Sequence, residues 1–535
     1  MKRILIFDTT LRDGSQGAGV SFTVEDKIKI AKALDSFGVA YIEGGWPGAN
    51  PKDELFFAQA KKLGLKNAKL TAFSSTRKKG CKASEDKSLC AITESGAAAA
   101  CIFGKTWDLH VKYALKTTNE ENLNMISDSV KFLKSKKLEV VYDAEHFFDG
   151  FRSNRAYALE TIKAAVNAGA DVICLCETNG GMLPSDVREI VRETLKEFPG
   201  VKFGIHAHND SGCAVANTII AVEEGCSMVH GTINGIGERC GNANLCTIIP
   251  DLQIKLGFQC IPQKNLSKIT ELSRYVDEIA NLVPNDSKPY VGRNAFAHKA
   301  GIHVSAIERL SKTYEHVDPS LVGNERRILV SDLAGKSNVV SKAGEMAAGL
   351  GGSPEKVKKI IDAVKDMENK GYQYEDADGS FLLLTKKALE DFKPFFTLKS
   401  YRVAVEKDSN GCIVSEATVK IDINGKEEHT VAEGDGPVNA LDNCLRKALV
   451  KYYPHIKEIF LTDFKVRVVN SNANTAAKVR VLIESSDSAK TWGTVGVNEN
   501  IIDASWQALS DSVEYKLMKG GKAAGKKNKT ESGKK

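Results

Sequence analysis

Two histidines separated by one residue, His206 and His208 in "GIHAHND" (204–210), stand first among the residues able to do chemistry. On a strand, residues i and i+2 point to the same face. That is the spacing for joint metal ligation, although ordinary polar strand positions share it. Asp13, in "DTTLRDGSQGAG" (8–19), adds a carboxylate. One carboxylate and two imidazoles with open positions suit a divalent Mg, Mn, Zn or Co ion better than a closed cysteine zinc site.

Three further stretches carry reactive types. "INGIGERCGNANL" (233–245) places Glu238 and Asn242 in a glycine-rich loop, where an amide and an acid suit ligand or metal contact better than a plain flexible connection does. "DAEHFFDG" (143–150) ends an apolar run with two acids and a histidine, readable as a site or as a capped, solvated loop. "HKAGIH" (298–303) opens an apolar helical pattern, and a lone histidine there reads first as a cap or surface residue.

The elements that must position these residues follow a βαβα alternation up to about residue 260. Strands are expected at 4–8, 40–45, 69–74, 99–104, 138–145, 171–178, 201–208 and 227–235. Amphipathic helices lie between them, among them 23–38 with Thr23 as N-cap and Gly38 as stop, and 183–198 capped by Ser185. Eight βα units in this length indicate an α/β fold, a (β/α)8 TIM barrel. The rival is a doubly wound sheet, but no strand is followed by GxGxxG. Polar residues recur at the C-terminal strand ends: Asp13, Glu43, Arg77, Glu145, Thr178, His206, His208, Asn234 and Glu238. Barrel enzymes build their sites on that rim, and Arg12 and Asp13 are the first strand's share of it.

Residues 263–392 read as helical linker subdomains, including patterns over 329–351 and 353–371, and 393–518 as a strand-rich C-terminal α+β domain. That domain holds a repeat at a spacing of 64: "TVAEGDGPVNALDNCL" (430–445) aligns without gaps on "TVGVNENIIDASWQAL" (494–509). Each copy follows apolar-alternating strands, which predicts two βββα units suited to binding rather than chemistry. The tail 519–535 holds seven Lys and one Glu, a net of +6, so the rest of the chain balances at 67 basic and 67 acidic residues. A neutral body argues against a nucleic-acid face, and the tail is expected to be disordered. Twelve scattered cysteines without CxxC pairs point to a reducing, cytoplasmic setting. No apolar run approaches 18 residues, so no membrane association is expected.

Taken together, "DTTLRDGSQGAG", "HAHND", "GERCGNANL", "HKAGIHVSAI" and "LAGKSN" resemble the family that joins an acyl-CoA to a 2-oxo acid on a metal-dependent barrel, the 2-isopropylmalate and homocitrate synthase family. The similarity covers residues 1–520. It implies metal ligation by Asp13, His206 and His208 with Asn242. It also implies that Arg12 hydrogen-bonds the ketone oxygen, Thr178 holds the carboxylate, and Tyr142 takes part in substrate binding. Glu145 and Glu238 become active-site acids. His303 and Tyr314 become a pair supplied by the neighbouring subunit of a homodimer, with His303 as base. The resemblance further implies acetyl-CoA as co-substrate, pyruvate as the 2-oxo acid, and inhibition by isoleucine through the C-terminal domain. The alternatives are 2-oxoisovalerate or 2-oxoglutarate as substrate, and a non-catalytic amino-acid sensor.

Overall fold

The apolar runs that alternate with amphipathic helices close into a barrel because each parallel strand needs a helix to cover its outer face. The computed structural model describes residues 2–329, 354–407, 409–469, 476–488 and 490–524. Its strands are β1 Leu5–Asp8, β2 Tyr41–Gly45, β3 Lys69–Ser75, β4 Ala99–Lys105, β5 Glu139–Glu145, β6 Val172–Glu177, β7 Phe203–Ala207 and β8 Met228–Gly231. They pair in chain order, and β1 closes on β8 with Phe7 opposite His230.

Side chains alternate strictly between two cores. Phe7, Phe73, Cys101, Val141, Cys174 and Cys176 fill the barrel interior. Their strand neighbours Ile6, Ala72, Ile102, Tyr142 and Leu175 pack outward against the helices. The outer layer includes α1 Val24–Phe37, α2 Pro51–Ala60, α3 Lys87–Ser95, α4 Asn119–Ser135, α5 Arg155–Asn167, α6 Pro184–Glu197 and α7 Ala214–Glu224. Thr23 and Asp26 cap α1 reciprocally, and Gly38 ends it at φ 101°, as expected. The start of α6 differs from expectation: Pro184 is its first residue, and the Asp186 carboxylate, not Ser185, accepts the Leu183 N–H.

The chain divides into two compact units, one built on residues up to Phe296 with Val317–Arg326, the other on Ala297–His316 and the described residues from Arg327 onward. The barrel unit, so divided, runs past 262, the expected end of the barrel domain. Helix α8, Ile269–Ile279, buries Ile269, Leu272 and Val276 in the barrel unit's core, and its Ser273 carbonyl and Asp277 accept from the Asn234 amide. In the second unit, α9 Gly301–Arg309, α10 Pro354–Asn369 and α11 Asp378–Ala388 precede two three-stranded antiparallel sheets. The first comprises β9 Thr397–Lys407, β10 Ile413–Ile423 and β11 Lys426–Gly434, closed by α12 Pro437–Leu449. The second comprises β12 Phe460–Val468, β13 Val479–Ser486 and β14 Thr491–Asn498, closed by α13 Ile501–Ala524.

The 64-residue repeat is thus a structural repeat, and its hydrogen bonds repeat too. Thr430 Oγ1 donates to the Cys444 carbonyl (3.0 Å), and Thr494 Oγ1 to the Ala508 carbonyl (2.8 Å). Helix α13 runs six residues into the tail expected to be disordered; 525–535 lie outside the described residues, as do "LAGKSN" and most of the 329–351 pattern.

Candidate active site

Where β1 leaves the core, Asp8 ties the turn by accepting from the Thr10 backbone N–H (2.9 Å) and hydroxyl (3.0 Å). Thr10 Oγ1 accepts in turn from the Ile233 N–H (2.9 Å), joining this turn to the loop after β8. Burial pushes the Asp8 acid up to about 7, against the two Thr10 hydrogen bonds and with help from Glu43. Arg12 emerges from this turn. Its Nε lies 2.7 Å from Glu43 Oε2 and its Nη1 2.9 Å from Asp13 Oδ2, and its guanidinium sits 3.9 Å over the Phe73 ring. Burial would weaken its charge, but Glu43 and Asp13 outweigh that and raise its pKa. Thr9 Oγ1 donates to the same Glu43 oxygen (2.5 Å), so both acidic partners of Arg12 are held from below.

Asp13 is almost fully buried. Burial alone would raise its pKa, yet Arg12 and the hydrogen bond with His206 hold it far below the usual carboxylate range, so it stays ionised. His206 Nε2 lies 3.4 Å and His208 Nε2 3.9 Å from Asp13 Oδ2. Burial, together with the neighbouring His206, pushes His208 down to about 4, which leaves its imidazole neutral and its lone pair available at neutral pH. His206 moves the other way: burial lowers it, but Asp13 more than compensates.

Asn242 comes from the glycine-rich loop, whose backbone pairs with β7's exit at His208. That loop is packed rather than loose: a Cβ on Gly241 would meet the Gly235 carbonyl at 2.0 Å. The Asn242 amide donates to Asp13 Oδ1 (3.2 Å) and to the Ile236 carbonyl (3.3 Å).

These residues fit a divalent cation on three grounds. One ligand atom each from Asp13, His206 and His208 lies within 4.8 Å of the others. The side-chain oxygen of Asn242 is buried without a partner among the described residues. The donor set, one carboxylate and two imidazoles, is that of an open catalytic centre.

Asp13, His206 and His208 line a cavity of about 550 Å3 shared with Arg12, Glu145, Thr178 and Glu238. Thr178 Oγ1 accepts from the His146 N–H (2.9 Å), and Glu145 pairs with Lys105. His303 and Tyr314 belong to the second unit, where their rings stack with centroids 4.1 Å apart.

Three expected members of the rim or site lie elsewhere. Tyr142 is fully buried in the outer core, because the β5 alternation sends its neighbours Val141 and Asp143 inward. It does not line the cavity, whereas Asp143 does. Arg77 is held by Glu121 and Asp128 of α4, and Asn234 by α8. Conversely, Asp143, Trp46, Phe73 and Phe103 line the cavity without having been assigned a role from sequence. For Asp143 the signal existed: it shares strand parity with Glu145.

Fold and site together define a barrel enzyme class with a carboxylate–imidazole cation site at the C-terminal ends of its strands. Residues 3–276 match the HMGL-like family model, 290–372 the homocitrate synthase post-HMGL domain-like model, and 375–517 the LeuA allosteric (dimerisation) domain. The chain is 55% identical over 519 residues to the (R)-citramalate synthase of Aquifex aeolicus, covering 97% of this chain and 98% of that one. It is 53% identical over 528 residues to the (R)-citramalate synthase of Geobacter sulfurreducens, covering 98% and 100%. It is 31% identical over 522 residues to the 2-isopropylmalate synthase of Methanocaldococcus jannaschii, covering 97% and 95%. The chain belongs to the HMGL-like family, in its (R)-citramalate synthase branch.

Proposed function

We propose that the barrel condenses the acetyl group of acetyl-CoA with pyruvate, and that hydrolysis of the thioester then yields (R)-citramalate and CoA. The observation that carries this reading is the contact of Arg12 with Asp13, which sets a fixed cation beside a ligand-bearing carboxylate. A divalent ion held by Asp13, His206, His208 and Asn242 supplies Lewis-acid polarisation of the ketone when bound. Mg, Mn, Zn and Co all suit this donor set.

Arg12 uses Nε and Nη1 on Glu43 and Asp13, which leaves the rest of its guanidinium to donate to the ketone oxygen. Charge develops on that oxygen as the new carbon–carbon bond forms, and an already oriented guanidinium stabilises it without reorganising. Thr178 holds the 2-oxo acid's carboxylate at the cavity wall. The methyl proton of acetyl-CoA goes to the imidazole of the partner subunit's His303, which the partner's Tyr314 holds by stacking. The resulting enolate carbon attacks the ketone carbon. Water then adds to the thioester carbonyl and CoA leaves as the thiol, and Glu145 and Glu238 of the cavity lining serve as the acids that manage protons in this step. The product's place is isoleucine biosynthesis in the cytoplasm, and isoleucine inhibits through the βββα repeats of a homodimer.

The test is CoA thiol release with acetyl-CoA, a divalent metal, and each of pyruvate, 2-oxobutanoate, 2-oxoisovalerate and 2-oxoglutarate. A kcat/KM led by pyruvate is expected. Preference for a larger oxo acid moves the enzyme to a neighbouring branch, and no release with any of them overturns the catalytic reading in favour of a sensor.

A further inference from the structure

His230 has no part in the chemistry above, yet it touches the cation site. It is fully buried on β8, opposite Phe7 of β1, and its ring lies parallel to Phe7 with centroids 3.8 Å apart and planes 7° apart. Its Nδ1 faces Nδ1 of His206 at 3.4 Å. Its Nε2 has no partner among the described residues. Asp143, the nearest acid, is 3.9 Å from His230 Nδ1, beyond hydrogen-bond reach.

His206 and His208 both turn Nε2 toward Asp13. A neutral imidazole that gives its Nε2 lone pair to a cation carries its proton on Nδ1. In His206 that proton points at His230 Nδ1, which accepts it only when His230 keeps its own proton on Nε2. We propose that His230 is a positioning residue for the cation site: it accepts the Nδ1–H of His206 and so fixes the tautomer whose Nε2 faces Asp13. The Phe7 stack holds the acceptor ring in place. This inference rests on reading Asp13, His206 and His208 as the cation site.

The same neighbourhood offers a rival arrangement. Asp143, His206 and His230 present ligand atoms within 4.8 Å of one another, close enough for a second ion. That ion would need His206 to bind through both nitrogens at once, as an imidazolate that has lost a proton neutral imidazole retains near neutral pH. A hydrogen bond between the rings needs no such step. It gives a ligating histidine the outer partner that usually orients it.

The experiment titrates Co2+ alone into the metal-stripped full-length chain and follows its visible absorption in wild type, His230→Phe and His230→Asn. Phe keeps the ring and its stack but removes the acceptor, whereas the Asn side-chain oxygen falls near the place of Nδ1. Removing a ligand's outer partner typically weakens metal binding about 10–100-fold, so that loss is expected for His230→Phe, with recovery to within about threefold for His230→Asn. Wild-type affinity in His230→Phe overturns the proposal, as does equal weakening in both variants. If His230→Phe does not fold, Phe7→Leu frees the acceptor ring instead, and unchanged Co2+ affinity there also overturns it. One ion per chain is expected in the wild type; two would mean that the Asp143 set is itself a site. A wild type that binds no Co2+ removes the cation-site reading, whereas binding that ignores His230 removes this inference alone.

Discussion

The Nε of Arg12 lies 2.7 Å from Oε2 of Glu43, so the residue proposed to meet the ketone is held by strand β2 as well as by its own neighbour Asp13. Glu43 is fully buried, and its removal would leave a buried guanidinium short of a partner. Glu43→Gln keeps an acceptor but loses the charge. A hydrogen bond to a charged group is worth about 1.5–3 kcal/mol, so kcat/KM for the oxo acid is expected to fall roughly 10–100-fold. Steady-state kinetics on the metal-loaded variant checks this; unchanged kcat/KM would show that Asp13 alone orients Arg12.

Asp13 is the only carboxylate in the proposed ligand set and also the charge partner of Arg12. Asp13→Ala is expected to abolish turnover while the barrel still folds, since the strands close around a different set of side chains. Circular dichroism reports the fold and thiol release the activity. Turnover in this variant that does not depend on metal would sink the ligand assignment.

Asp8 makes pH a probe of the turn that carries Arg12. Its folded value, about 7, lies above the roughly 4 of an unfolded aspartate. Between those values the folded chain keeps a proton that the unfolded chain has released. The group's contribution to stability is therefore full below about pH 4 and is lost as pH rises through 7. Asp8→Asn cannot titrate, so its stability should fall less steeply between pH 4 and 7 than that of the wild type. Denaturant unfolding at a series of pH values decides this, and parallel slopes would count against it.

Tyr142 and Asp143 separate what residue type suggests from what strand parity dictates. The Tyr142 hydroxyl is buried without a partner among the described residues, and an unbonded buried polar group can be removed at little cost. Tyr142→Phe is expected to leave KM for the oxo acid within about twofold of wild type and to keep or raise the melting temperature. Asp143→Asn, which changes a cavity wall, is expected to lower kcat/KM about tenfold or more. A large KM change in Tyr142→Phe with none in Asp143→Asn would reverse the assignment.

The same pair marks how far the sequence could be read. The barrel was legible because eight apolar runs alternate with amphipathic helices, and His206 with His208 because i, i+2 spacing is itself a geometric statement. Asp13 was legible as a rim residue because it lies in the turn that follows β1. Parity failed at Tyr142 because β5 is buried on both faces, so hydrophobicity does not mark which side faces the cavity. His230 was hidden for a related reason: nothing in "SMVHGTING" says that its ring meets Phe7 on one neighbouring strand and His206 on the other. That α8 packs into the barrel unit's core was not legible, because it reads as any amphipathic helix until its partners are known. The repeat, by contrast, announced itself through residue identity.

Thr430 and Thr494 test whether that repeat is energetic as well as geometric. Each hydroxyl is buried and donates to a carbonyl 14 residues further on, in the helix that closes its own sheet. Valine has nearly the same shape, so Thr430→Val and Thr494→Val each remove the hydroxyl's hydrogen bond while the helix carbonyl keeps its own i+4 N–H. The expected cost is about 0.5–1.5 kcal/mol in each case. Both residues lie in the second unit, which supplies none of the proposed cation ligands, so basal kcat should hold in both variants. If isoleucine acts through the paired βββα units, its inhibition should weaken in both variants, because either one loosens a helix against its sheet. Denaturant unfolding and inhibition curves on the full-length chain read the two effects separately. A loss confined to one variant would mean that the two copies kept their shape but not their role.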